Sequence, residues 1–146
     1  MNEPTRNRAL QALEDATKRA DADGIDLALR IDFEGLTPTF VPVLIQLLEA
    51  SWHQRHEDIA HTLQGLKDPR AVDALYRTAF ARYDYLAYDE VFGLARKCTW
   101  ALADTGTPEA KAKLKLLAAG ENPLIAGYAQ KRLDRWDDEQ KRKKSS

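Results

Sequence analysis

The chain has 146 residues, 44% of them apolar and 31% charged, which suits one compact domain that needs neither metal nor disulfide to stand. Its 22 basic and 23 acidic residues leave a net charge of −1, against a nucleic-acid binder driven by bulk charge. The single cysteine, Cys98, excludes an intrachain disulfide and agrees with a reducing compartment.

The start Met1-Asn2-Glu3-Pro4 is polar and lacks the pattern of a signal sequence. The greasiest stretch, Phe40 to Leu48, contains Pro42 and Gln46 and is too short for a membrane span. The expectation is a cytoplasmic protein with no membrane contact. No stretch alternates with the period of a strand, whereas apolar residues recur at three and four, so the fold class is all-α. The first helix is expected over Pro4–Ala22, with Leu10, Leu13 and Ala16/Thr17 on one face and Gly24 as its C-terminal cap. Ile25 to Leu36 fits both periods and is read as a short helix over Ile25–Asp32, since an isolated strand would lack a pairing partner.

From Thr37 the punctuation becomes regular. Thr37-Pro38, Asp68-Pro69 and Thr107-Pro108 each set a capping side chain before a proline at the first helical position. These prolines lie 31 and 39 residues apart, a length suited to one helical hairpin per repeat. A slide of 39 sets Ile59-Ala60-His61-Thr62-Leu63 on Cys98-Thr99-Trp100-Ala101-Leu102, and a slide of 31 sets Ala95, Cys98 and Leu102 on Ala126, Ala129 and Leu133. Trp52, His56, Ile59, Leu63 and Leu66 share one stripe, as do Val91, Leu94, Ala95, Cys98, Ala101, Leu102 and Thr105. One hairpin cannot cover such stripes, so neighbouring hairpins must.

Asp68-Pro69-Arg70-Ala71-Val72-Asp73-Ala74-Leu75 resembles the turn and first-helix opening of HEAT repeats, and Gly106-Thr107-Pro108-Glu109-Ala110 resembles a second one. The resemblance covers about residues 37–136 and implies a short right-handed α-solenoid of about three helical hairpins with an N-terminal capping helix or hairpin. The repeats fall at about 37–67, 68–106 and 107–137, within a single domain 1–140 followed by a basic, frayed tail 141–146. The departure is the long aromatic linker Arg82-Tyr83-Asp84-Tyr85-Leu86-Ala87-Tyr88-Asp89.

Opposite the core stripes, His53, Glu57 and His61 follow one another at i, i+4 and i+8. The corresponding later positions are Phe92, Arg96 and Trp100, with Asp89, and then Pro123, Gly127 and Lys131, with Arg135 one turn beyond. Second helices of HEAT-like stacks line the concave surface, so the resemblance implies a groove with an acidic, His-containing end, an aromatic centre at Trp100 and a basic end. Tyr83, Asp84, Tyr85, Tyr88 and Asp89 form a candidate recognition loop beside it, since Tyr gives contact area at small entropic cost. The alternatives are that Trp100 packs between helices and that Tyr85 and Leu86 plug the gap between repeats.

The cluster from Trp52 to His61 lacks the His-Glu-x-x-His order of zinc proteases, and His56 falls in the apolar phase, so no metal is expected. Cys98 lies mid-stripe as a packing residue, no glycine-rich phosphate loop exists, and no Ser-His-Asp set is visible, so neither cofactor nor catalysis is expected. Lys141-Arg142-Lys143-Lys144 reads as a solubilising helix end. The expected function is a monomeric, non-catalytic module for a protein partner, similar to bacterial immunity proteins that occlude a cognate toxin. The alternatives are a HEAT-like enzyme of the alkylpurine DNA glycosylase type, with Trp100, Asp89, Arg96 and Lys131 cast around a lesion, or a generic scaffold or chaperone.

Overall fold

The computed structural model describes residues 3–29 and 37–145, and every regular element among them is helical. The helices are α1 (Glu3–Lys18), α2 (Ala22–Ala28), α3 (Val41–Leu48), α4 (His56–Leu66), α5 (Val72–Thr78), α6 (Gly93–Thr105), α7 (Pro108–Ala118), α8 (Pro123–Asp134) and α9 (Trp136–Ser145). Short 3-10 turns, Pro38–Phe40 and Pro69–Ala71, lead into α3 and α5, and a third, Asp84–Leu86, lies in the linker before α6.

Proline sets where the helices start. Asp68 accepts a hydrogen bond from the Arg70 backbone N–H, and Thr107 accepts one from Ala110, so both act as the expected caps. Thr37 makes no such bond. A fourth start, missed in the sequence, is Asn122-Pro123, where the Asn122 side chain accepts from Leu124 and Ile125.

α3 packs on α4, α5 on α6 and α7 on α8, while α1 pairs with α2. Across the pairs, α1, α3, α5 and α7 form one row and α4, α6 and α8 another, with α9 set against α8. The stripes explain this. Ile59 and Leu63 of α4, Cys98, Ala101 and Leu102 of α6, Leu114 and Leu117 of α7 and Ala129 of α8 are all sealed in one core. Polar ties repeat the stacking: the Arg70 guanidinium donates to the Pro38 carbonyl at 3.1 Å, Arg77 donates to Glu49 at 2.5 Å, and Gln64 donates to Asp104 at 2.7 Å.

Several expectations are corrected. About three hairpins with an N-terminal capping helix or hairpin become nine helices among the described residues: the N-terminus folds as a pair, within that expectation, and the C-terminus adds α9, which was not expected. α1 ends at Lys18 rather than Ala22, closed by Ala20 in the left-handed region at φ 50°, and Gly24 lies inside α2 under the Asp21 cap. Of the helix expected over Ile25–Asp32, only the part through Leu29 lies within the described residues. The basic segment read as a frayed, solubilising helix end lies in α9, which runs as far as Ser145. Gly106 ends α6 at φ +72°, and a Cβ there would lie 2.6 Å from the Gln140 Oε1 of α9. That glycine therefore serves both the turn and the close approach of α9.

Candidate functional site

α4 begins at His56, so Trp52 and His53 lie in the loop before it rather than on its first turn. The chain reverses there around a column of rings. His53 stacks on His56 at 4.1 Å between centroids, His56 stacks on Tyr83 at 3.7 Å, and Tyr85 lies 5.6 Å from His56. Each polar atom of the column is used. The His53 Nε2–H donates to the Leu47 carbonyl at 2.6 Å, and its Nδ1 accepts from the Arg55 N–H at 3.0 Å. The His56 Nε2–H donates to the Ala50 carbonyl at 2.5 Å, while the Tyr85 hydroxyl donates to Nδ1 at 2.6 Å. The Tyr83 hydroxyl donates to the Leu48 carbonyl at 3.1 Å.

The Arg55 N–H at Nδ1 requires the His53 ring to be neutral, and for His56 the neutral ring, with Tyr85 donating, is the form that burial favours. Burial pushes the His56 pKa down to about 4, with the neighbouring His53 adding to the effect and the Ala50 hydrogen bond opposing it. Burial likewise lowers His53 and raises the Tyr85 hydroxyl to about 12. His53 is only 2% exposed, so it is removed from the expected docking row and its ring nitrogens are both occupied. Tyr83 and Tyr85, expected as contact residues, instead anchor the linker to the ends of α3 and α4, leaving each only partly exposed. The linker therefore divides into an inner half that holds and an outer half that projects.

The outer half carries Tyr88, 81% exposed, and Val91, 60% exposed, with Phe80 exposed just before the linker. Asp84 and Glu90 are exposed beside them. Asp89 closes the start of α6, accepting from the Val91 N–H at 3.0 Å and the Gly93 N–H at 2.8 Å. Phe92 enters the helix at φ 55°, a strained conformation for a large residue, and the Arg82 guanidinium lies 4.5 Å over its ring. Between the linker and the first turn of α6 is a cavity of about 470 Å³ with largely apolar walls, including Leu86, Phe92 and Leu94.

The row of α4, α6 and α8 is continuous but differs in register from the expected groove. Glu57 pairs with Lys97 of α6 at 3.6 Å, and Arg96 lies 5.9 Å over Tyr128 of α8, whose hydroxyl donates to the Val91 carbonyl at 2.5 Å. Trp100 is partly buried under the Arg132 guanidinium, 3.5 Å from its ring, and Arg132 in turn donates to Glu139 of α9 at 2.7 Å. Trp100 thus packs between adjacent helices, as the alternative reading had it, and is not an open groove centre. His61, Arg96, Lys131 and Arg135 remain exposed.

Arg132, Tyr128 and Glu139 were missed because a basic residue and its neighbour are 100° apart on a helix, a rotation that chain offsets alone do not fix. His56 carries the signal that was available: a histidine in an apolar phase announces a hydrogen-bonded core position. Among the described residues no group of three or more His, Cys, Asp or Glu side chains is placed to hold a metal ion, and no helix is long and apolar enough to cross a membrane. No protein-family model, curated protein or solved structure matches the chain.

Proposed function

We propose that this chain is a non-catalytic protein-binding module that docks its partner on the outer half of the Tyr83–Glu90 linker and the adjoining row of α4, α6 and α8. Within that reading the paired helices are repeats of a short right-handed HEAT-like solenoid, and the partner is a toxin or other protein whose working surface the linker occludes. One observation carries the proposal: Tyr88 and Val91 present large apolar surface to solvent from a linker whose inner residues are hydrogen-bonded and stacked. Exposed apolar surface is common, but an aromatic residue on a rigid mount binds at small entropic cost. The exposed basic positions Arg96, Lys131 and Arg135, with Glu57, His61 and Asp89 on the same row and linker, are the polar groups that would set orientation and encounter rate.

The glycosylase reading gains nothing from the same geometry. Both Asp89 oxygens serve α6, and one face of Trp100 is covered by Arg132, so neither is free to hold or attack a flipped base.

The test compares the full chain with Tyr88→Ala and with Arg96→Ala. A partner is captured from the source cell's lysate and purified, and its affinity for each protein is measured by calorimetry. At least a tenfold loss for Tyr88→Ala with unchanged helical circular dichroism is expected. Equal affinity for both variants and the parent overturns the assignment of the surface. Salt-steep retention on duplex DNA by the parent chain favours the enzyme instead.

A further inference from the structure

We infer that the cavity between the linker and the first turn of α6 is a socket for a lysine or arginine side chain of a protein partner. The inference rests on the docking reading for the source of that side chain, and on the cavity alone for its chemistry. At about 470 Å³ the cavity falls within the roughly 300–1,000 Å³ typical of ligand pockets, so an extended side chain and its flanking backbone fit. Leu86, Ala87, Phe92 and Leu94 offer apolar wall to a methylene stem.

The charges at its edge select the head group. Asp84, Asp89 and Glu90 face one cation, Arg82. Asp84 and Glu90 are exposed and enter no ion pair among the described residues. An apolar side chain seated there would strip water from both carboxylates and return nothing, whereas an ammonium or guanidinium would pair with them. An anion is disfavoured twice. The carboxylates repel it, and the positive end of α6, which would otherwise attract it, is already neutralised by Asp89 through the Gly93 N–H. The wall also accepts a guanidinium from the chain itself, since Arg82 rests 4.5 Å over the Phe92 ring.

The experiment titrates the whole ¹⁵N-labelled protein with four blocked amino acids, the N-acetyl methylamides of arginine, lysine, norleucine and glutamate. Backbone amide shifts are followed by NMR. The arginine and lysine probes should shift the amides of Ala81–Ala95 saturably, norleucine should bind at least tenfold more weakly, and glutamate should leave them unmoved. A double variant, Asp84→Asn with Glu90→Gln, should keep its helical circular dichroism and bind the arginine probe about tenfold more weakly. Norleucine binding as well as arginine, glutamate shifting these amides, shifts confined to another region, an unaffected double variant, or no shift by about 50 mM of the arginine probe, weaker than any useful side-chain affinity, each overturns the socket. Arginine binding here, alongside a partner indifferent to Tyr88→Ala, retains the socket and discards the docking surface. Loss of partner affinity in Tyr88→Ala without probe binding does the reverse.

Discussion

Two aromatic clusters hold this molecule's candidate surface, and they do so by opposite electrostatics. His53, His56, Tyr83 and Tyr85 stack as neutral rings whose polar atoms go to one another or to backbone groups. Trp100, Tyr128 and Trp136 instead lie under cations, Arg132, Arg96 and Lys111 respectively. The first arrangement depends on keeping protons off imidazoles. The second sets guanidinium and ammonium groups over ring faces. Acid should therefore reach the linker through its imidazoles.

The largest way to break this contrast is at the cationic cluster. Arg132 is 3% exposed and donates to Glu139, so Arg132→Ala leaves a buried carboxylate without its partner and should cost about 3 kcal/mol or more. Urea unfolding followed by circular dichroism measures it, and adding Glu139→Leu should restore most of the loss. A small effect would mean that α9 docks without the pair. Next is acid. His56, held near pH 4 against an ordinary 6.5, is stabilising while neutral, so its contribution is fully present above pH 6.5 and is lost as pH falls toward 4. The loss should reach about 3 kcal/mol, with His53 acting in the same direction. Stability measured against pH in the parent and in His56→Gln isolates it; parallel curves would remove His56 as the proton-sensitive group.

Tyr85→Phe should cost about 1–2 kcal/mol, because His56 Nδ1 loses its donor inside the column. It should also raise the protection loss of linker amides in hydrogen exchange without touching α8. The smallest effect belongs to Tyr88→Ala, expected within about 0.5 kcal/mol by thermal unfolding, since its ring is exposed. A larger loss would place Tyr88 in the holding half of the linker instead.

Local features of this fold were legible in the sequence where one residue type has one physical reason. Pro69 and Pro108 behind Asp68 and Thr107 mark true starts, and Leu63, Cys98 and Leu102 lie in the core as their spacing requires. The site was less legible because periodicity continues through a chain reversal. Trp52 and His53 keep the spacing of α4 without belonging to it, and Val91, in phase with the α6 stripe, lies before Gly93 and is exposed. Hydrogen bonding decided these positions: ring nitrogens and hydroxyls capture carbonyls at the end of α3, a long-range choice invisible to spacing. Rotational phase between helices was also out of reach, which is why Trp100 meets Arg132 and not Lys131.

Cys98 offers a last consequence. Its thiol lies fully enclosed in the middle of α6, and burial pushes its pKa up to about 12. An alkylating reagent finds almost no thiolate there until the row of helices parts. The rate at which the native chain takes up such a label therefore counts openings of its interior, a clock supplied by the protein with no added dye.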